Sequence, residues 1–425
     1  MPIERTQTFA TAAARAPRST LTRRQFGLST MAALMLPGCG GGDGDSVDQA
    51  AMAKVDALIQ QDIDAGRHFG AALLVARGGK VIHRAYLGTV APGRNTAQGD
   101  KYLQMSMSKA YTAVLVLQAI DAGRFTLDTR VADLVPAFAV GGKEASTIRQ
   151  LLCHTSGLPT APVAPPLPLT AMGQLALHAE AICALEAVYA PGTRCAYTSG
   201  TGYDMLGQIL VLTDPKGRSF QQIAQQDLFG PLGMVNTSFG LATDDPKRVP
   251  VSFTPSATTP ASAPQMLAFN QVLDANAEYP CAGAFGDLDD VFTFTEALAG
   301  RGPKGYQLVS PKLLAEARLN ATGEMPLEVL APVGTPPVIQ APEDLYPARF
   351  TLMGGYTRGT GAGFSPAGAT ASASALVAVG GGSTGWMYDP ARDLSVVFLS
   401  SGLVEGVAHP QRLAKVNDAV IAALS

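Results

Sequence analysis

Ser106-Met-Ser-Lys-Ala-Tyr-Thr-Ala-Val-Leu-Val-Leu-Gln-Ala-Ile-Asp-Ala-Gly123 combines a helix pattern with the beginnings of a reactive site. Apolar residues continue through Val114, Leu117 and Ile120 until Gly123, a residue suited to the left-handed conformation that ends helices. This spacing predicts a long helix from Ser106 onward. Its first turn reads Ser106-Met107-Ser108-Lys109, an S-x-x-K pattern. Positions three apart lie on one helix face, so the Ser106 hydroxyl and the Lys109 amine come within hydrogen-bond reach. A serine hydroxyl is a weak nucleophile until a neighbouring base takes its proton. A lysine can be that base where burial or nearby cations lower its pKa toward neutrality, and the apolar helix behind Lys109 supplies burial. The pattern alone is weak: it arises by chance in chains of this size, and an ordinary helix start with Ser106 as N-cap is the plain alternative.

Outward from this run the chain changes character twice. Toward the N-terminus, Ala71–Ala76 and Val81–Tyr86 flank Gly78-Gly79 and read as two strands joined by a tight turn, preceded by a helix over 52–66. His83 on the second strand reads as solvent-facing. Toward the C-terminus, 124–300 reads as helices broken by proline-rich loops, with Pro162–Pro168 the densest and expected to be exposed. Ser374–Val379 and Leu394–Leu399 are apolar or β-branched runs bounded by turns and read as strands, followed by an amphipathic helix over Pro410–Leu424. Strands at both ends with helices between predict an α/β (α+β) fold. Its mostly antiparallel sheet, flanked by helices, is built from 52–100 and 345–425, with a helical region inserted at about 110–300.

Residues 1–39 stand apart from this domain, which spans 52–425. Thr22-Arg23-Arg24-Gln25-Phe26 resembles a twin-arginine export signal, and the apolar stretch that follows, Phe26 to Leu36, is too short to span a bilayer. Leu36-Pro37-Gly38-Cys39 resembles a lipobox with an off-pattern proline, so membrane attachment through a lipidated Cys39 and release as a soluble periplasmic protein are both expectations. Residues 40–51, with the Gly40–Asp45 tract, read as a flexible linker. Export permits disulfides among Cys153, Cys183, Cys195 and Cys281. Buried free thiols are the simpler expectation.

Composition narrows the partners. With 47% hydrophobic and 15% charged residues and a net charge of −3, the chain shows no basic run that would bind nucleic acid. Its five histidines are scattered without metal-ligand spacing, so neither metal nor cofactor is expected.

Two further patterns bear on chemistry. In Tyr197-Thr198-Ser199, a phenol could share the Lys109 proton and deliver it to a leaving group if the fold brought the two close, but Y-x-S alone means little. Gly381-Gly-Ser383-Thr-Gly385 fits the G-x-S-x-G nucleophile elbow, with Asp389 or Asp393 and His409 following in order. Only about forty residues follow Ser383, too few for the βα units that normally separate such a triad.

Taken in series, the motifs resemble the class C β-lactamase-like, penicillin-recognising family, which includes DD-peptidases and family VIII carboxylesterases. The series runs through Phe69-Gly-Ala-Ala-Leu-Leu-Val, Ser106-Met-Ser-Lys109, Gly123-Arg-Phe-Thr-Leu-Asp128 and Leu151-Leu-Cys-His154-Thr-Ser-Gly157-Leu. It continues through Pro191-Gly-Thr-Arg-Cys-Ala-Tyr197-Thr-Ser199, Pro231-Leu-Gly-Met234 and Asp389-Pro390. The resemblance implies a β-lactamase/transpeptidase-like fold, with Ser106 as nucleophile, Lys109 as general base and Tyr197 as acid/base partner. Ser199 stands where relatives often carry asparagine, its hydroxyl able to reach Lys109 or substrate. An oxyanion hole would pair the Ser106 N–H with one from a C-terminal strand, at Gly380 or Gly381. His154 reads as structural.

Lactamases and peptidases of this group carry Lys-Thr-Gly on that strand. Here the matching region is Ala378-Val379-Gly380-Gly381-Gly382, without a lysine to meet a substrate carboxylate. Hydrolysis of small esters through an acyl-enzyme is therefore the expectation. A β-lactamase or D-amino-acid peptidase or amidase is the alternative, and a non-catalytic binding or sensor module is the alternative of another class. Loops 158–170 and 240–280 are expected to line the pocket.

Overall fold

The structure, a computed structural model, describes residues 49–254, 263–328, 347–361, 363–404 and 408–424. The export signal, Cys39 and most of the linker lie outside the described residues.

Three N-terminal strands, β1 (Gly70–Arg77), β2 (Lys80–Ala91) and β3 (Arg94–Asn95), join four C-terminal ones, β4 (Tyr356–Thr357), β5 (Leu376–Gly380), β6 (Thr384–Asp389) and β7 (Leu394–Ser401). Together they make one seven-stranded sheet in the order β3-β2-β1-β7-β6-β5-β4. Its pairs are antiparallel, and the two ends of the chain meet at its centre, where β1 pairs with β7 from Gly70↔Ser401 to Arg77↔Leu394. Both faces are covered. Leu73, Val75, Val396 and Phe398 pack under α1 (Gln49–Asp64) and the last helix. The alternating residues Leu74, Ala76, Val397 and Leu399 face the larger core. A sheet buried on both sides needs apolar residues at every position, which is why these strands read as unbroken runs.

The larger core is organised by α2 (Ser108–Asp121), buried on nearly all sides, as expected of a helix apolar all round. Around it lie α3 (Leu175–Cys183), α4 (Thr201–Leu212) and α5 (Leu288–Leu298), and α6 (Ala408–Ala423) closes the chain over the opposite face. No helix among the described residues is long and apolar enough to cross a membrane.

Three expectations change. The helix starts at Ser108, and Ser106 sits in a single 3-10 turn, Met105–Met107. The Pro162–Pro168 loop is exposed at Pro165, Pro166 and Pro168 but anchored inward, with the Ala164 N–H donating to His178 Nε2 at 2.8 Å. His83 ties β2 to α1 through Asp56 at 2.8 Å instead of facing solvent. Cys153, Cys183, Cys195 and Cys281 are free and buried.

Candidate active site

Ser106 lies in the 3-10 turn and Lys109 in the first turn of α2, so the two side chains meet across the junction of the two helices. Lys109 Nζ donates to Ser106 Oγ at 3.3 Å. Just ahead, Met105 adopts φ 44°, a left-handed conformation costly for a non-glycine residue, at the bend that presents the serine.

Lys109 is 1% exposed, and its ammonium has two further acceptors, the carbonyls of Ser199 (2.8 Å) and Cys281 (3.0 Å). Its three N–H groups thus match three acceptors. Burial pushes its pKa down, but the Tyr197 oxygen and Cys281 beside it pull it up, and the net displacement is upward. The expectation of an amine lowered toward neutrality is therefore not met in direction: burial is the largest influence, but charge attraction from Tyr197 and Cys281, ahead of the hydrogen bond to Tyr197, together outweighs it.

Tyr197 Oη donates to Ser106 Oγ at 2.7 Å, across 91 residues of chain. Its ring lies 5.1 Å from Lys109 Nζ and packs against His154 (4.7 Å between centroids) and Phe350 (6.1 Å, stacked). His154 Nδ1 accepts the Thr198 N–H at 3.2 Å, and burial first, then the Lys109 charge, hold its pKa well below the ordinary value. A neutral ring is thereby fixed beneath the Tyr197-Thr198 backbone. The turn after His154 needs Gly157 (φ 81°), where a Cβ would lie 2.2 Å from the Tyr189 carbonyl oxygen.

Ser199 reaches Lys109 through its backbone carbonyl; its hydroxyl accepts from Thr160 Oγ1 at 3.0 Å. The expected side-chain contact with the lysine is thus replaced by a main-chain one. Behind Cys281 stands a pair that sequence reasoning missed. Asp204 Oδ1 accepts the Cys281 N–H at 2.9 Å while Oδ2 accepts from His178 Nδ1 at 2.7 Å. These two buried residues hold the carbonyl that holds the lysine. They are single residues on separate helices with no motif between them, so the sequence offered no signal.

Ser106 and Tyr197 open into a cavity of about 260 Å³ whose walls include Leu327, Tyr356, Phe364, Val379 and Gly381. The C-terminal strand of the third motif is thereby identified as β5. Gly381 lines the cavity, whereas Gly380 packs behind it: a Cβ there would lie 2.2 Å from the Gln104 carbonyl oxygen. Only one of the two expected glycines therefore faces the site. Apart from Ser106 and Tyr197, the described lining comes from 327–381 and Pro410, and no described residue of 158–170 or 240–280 is part of it. It holds no lysine from β5. Its cation is Arg349, which sequence reasoning also missed and whose Nη1 and Nη2 donate to the carbonyls of Arg358 (2.7 Å) and Thr360 (3.0 Å).

The elbow reading fails on geometry. Ser383 is buried, with Oγ accepting the Val404 N–H at 2.7 Å. His409 faces the Thr384 carbonyl and Asp389 is bound by Ser372 and Arg392. Among the described residues no group of three or more His, Cys, Asp or Glu side chains is placed to hold a metal ion.

Residues 55–421 match the Beta-lactamase family. A penicillin-binding protein 4 of Amycolatopsis lactamdurans is 40% identical over 174 residues, 39% of this chain and 43% of that protein, so the match spans less than half of the curated relative. Two solved structures share the fold. EstCE1, described as a hydrolase with promiscuous acyltransferase activity, has a TM-score of 0.68 and 22% identity over 88% of this chain and 99% of that one. A family VIII carboxylesterase has a TM-score of 0.66 and 20% identity over 89% and 99%.

Proposed function

Because the chain belongs to the beta-lactamase family of serine hydrolases, we propose that it is a carboxylesterase acting on small uncharged esters through an acyl-enzyme on Ser106. The observation that carries this reading is the 2.7 Å hydrogen bond between Tyr197 Oη and Ser106 Oγ, made beside a buried lysine and under a β5 wall without a cation.

The site is armed when the Lys109–Tyr197 pair has lost one proton, a property of the pair and not of either member. With every Lys109 N–H directed at an acceptor, the remaining proton stays on the amine, and the phenol oxygen receives the serine proton. Ser106 Oγ then bonds to the ester carbon, and the carbonyl electron pair moves to oxygen. Donors from the Ser106 and Gly381 backbone would stabilise that oxyanion. Collapse breaks the ester C–O bond, and the proton held at Tyr197 goes to the departing alcohol. Water repeats the sequence on the acyl-enzyme and releases the acid. A cavity of about 260 Å³ with apolar walls fits a small acyl group.

The EstCE1 and family VIII likenesses support the esterase reading. Arg349 is the feature that favours the alternative, since a guanidinium in the wall is where a lactam or peptide carboxylate would be met. A panel of p-nitrophenyl esters, nitrocefin and D-amino-acid amides on purified protein decides the matter. Short esters should be turned over best; faster turnover of nitrocefin or the amides would overturn the proposal. Labelling by a fluorophosphonate should map to Ser106 and be absent in Ser106→Ala, whereas a non-catalytic module would not label at all. We also propose export to the periplasm through residues 22–36, with Cys39 the lipidation point, which cell fractionation and mass spectrometry of the mature N-terminus would test.

A further inference from the structure

Cys281 stands between two opposite charges. Its carbonyl accepts from Lys109 Nζ at 3.0 Å, and its N–H donates to Asp204 Oδ1 at 2.9 Å. The peptide group before it is pinned at both ends, because the Pro280 carbonyl accepts from Thr112 Oγ1 at 2.8 Å, on α2 like Lys109. Asp204 on α4 and His178 on α3 are both buried. The Ala164 N–H donates to His178 Nε2 at 2.8 Å, so the ring hydrogen lies on Nδ1, which donates to Asp204 Oδ2 at 2.7 Å. A ring so placed has no lone pair free for a second proton. Asp204 thus receives two hydrogen bonds from neutral donors, and His178 is not its counter-ion.

A carboxylate buried in this way needs a positive charge nearby. The titratable side chains set around Lys109 and Asp204 are His154, Tyr197, Tyr203, Tyr279 and Cys281, besides His178. Burial pushes the Tyr203 and Tyr279 hydroxyls and the Cys281 thiol well above their ordinary ranges, and pushes His154 well below its own. These four are therefore uncharged at neutral pH. Tyr197 and Cys281 attract the ammonium only after losing a proton of their own. Among these groups, then, Asp204 is the negative charge facing Lys109 before the site is armed, and Lys109 the positive charge facing Asp204.

One proton on the Lys109–Tyr197 pair has two places to sit. A negative charge on the lysine side favours ammonium with phenolate over neutral amine with phenol. We propose that Asp204 is a positioning residue, the fixed counter-charge that keeps the shared proton of the Lys109–Tyr197 pair on the amine and leaves the phenol oxygen to act. His178 and Cys281 hold its carboxylate in place. This role rests on the reading of Ser106, Lys109 and Tyr197 as the reacting groups, whichever ester they attack.

The test is the rate of fluorophosphonate labelling of Ser106 between about pH 5 and 10 in the wild type, Asp204→Asn and His178→Asn. Removing a negative charge makes the pair release its proton more readily, so the acid limb of Asp204→Asn should move to lower pH by about half a unit or more. Its rate relative to the wild type should therefore rise as the pH falls. Asparagine at 178 keeps an N–H donor for the carboxylate, so His178→Asn should keep the wild-type limb whatever its rate. A purely structural role would slow both variants and move neither limb. Unfolding in urea reads the same charge pair independently. Lys109→Met/Asp204→Asn should have a higher urea midpoint than Asp204→Asn, because no buried charge is left unmatched, and it decides the matter should Asp204→Asn not fold. An unmoved or raised limb in Asp204→Asn, a displaced limb in His178→Asn, or a double variant no more stable than Asp204→Asn would each overturn the proposal while leaving Ser106 the nucleophile. An unlabelled Ser106 in the wild type would overturn the reading of the site itself, and the role of Asp204 with it.

Discussion

Three acceptors around one nitrogen determine how the proposed acid–base pair must divide its work. The Ser106 hydroxyl and the Ser199 and Cys281 carbonyls suit an ammonium, so in the proposed mechanism Lys109 is the fixed charge and Tyr197 the proton carrier. A cation favours the deprotonated form of an acid beside it. Replacing Lys109 by methionine keeps the buried volume but removes that charge, so the acid limb of the pH–rate profile should move to higher pH. Ester kcat/KM at neutral pH should fall ~10²–10⁴-fold. Initial rates between about pH 5 and 10 check this, and loss of the limb altogether, instead of its displacement, would restore Lys109 as the base. Tyr197→Phe should lose a similar factor, because it removes the oxygen 2.7 Å from the nucleophile. At this scale the sequence was informative where spacing is local: Ser106 and Lys109 are three apart. Tyr197 was reached only through resemblance, and Asp204 and His178 not at all, because their roles exist only once α3 and α4 have packed.

At the scale of elements, the third wall of the site is a packing problem. The turn between β5 and β6 lies on the backbone just before Ser106, close enough that a Cβ at Gly380 would sit 2.2 Å from the Gln104 carbonyl oxygen and 2.3 Å from Thr384 Oγ1. Gly380→Ala should therefore force β5 away from the 3-10 turn, costing ~1–3 kcal/mol in urea unfolding together with a fall in kcat/KM. The neighbouring Gly381→Ala meets first the flexible Met105 Sδ at 3.2 Å and should unfold much closer to wild type. Equal losses at the two positions would show that chain flexibility, not contact, explains both. The strands β1, β5 and β7 and the helix α2 were legible because burial on every side leaves an unbroken apolar run. Strand β6, Thr384-Gly-Trp-Met-Tyr-Asp, was missed: it has neither alternation nor β-branched enrichment, and its glycine invites a turn reading. Two-residue strands such as Cys195–Ala196 were also missed, since their pairing with Leu327–Glu328 is decided by distant chain.

Across the whole molecule, the two ends of the sequence make one structure. β1 and β7 are the central pair of the sheet, and the cavity lined by the end of α1 and the start of α6 shows that these helices run antiparallel side by side. Residues 49 and 424 therefore fall at the same end of that layer. Contacts between segments more than 300 residues apart are slow to form, because the chain must close the intervening loop before they are rewarded. A circular permutant that joins 424 to 49 by a short Gly/Ser linker makes this pairing local. New ends between Lys304 and Gly305, both exposed, remove little more than the hydrogen bonds from the Gly305 N–H to the Gly302 carbonyl and from the Tyr306 N–H to the Pro303 carbonyl. Such a permutant should keep wild-type ester kcat/KM within about twofold, because the Ser106–Lys109–Tyr197 cluster and the β5 wall are untouched. It should also refold at least as fast after dilution from urea, as followed by the fluorescence of Trp386, which is buried between β5 and β7 on β6. An inactive permutant with native-like fluorescence would mean that the original ends act on the site from a distance. One that refolds more slowly than the wild type would mean that the β1–β7 pairing forms early and the helical region sets the pace.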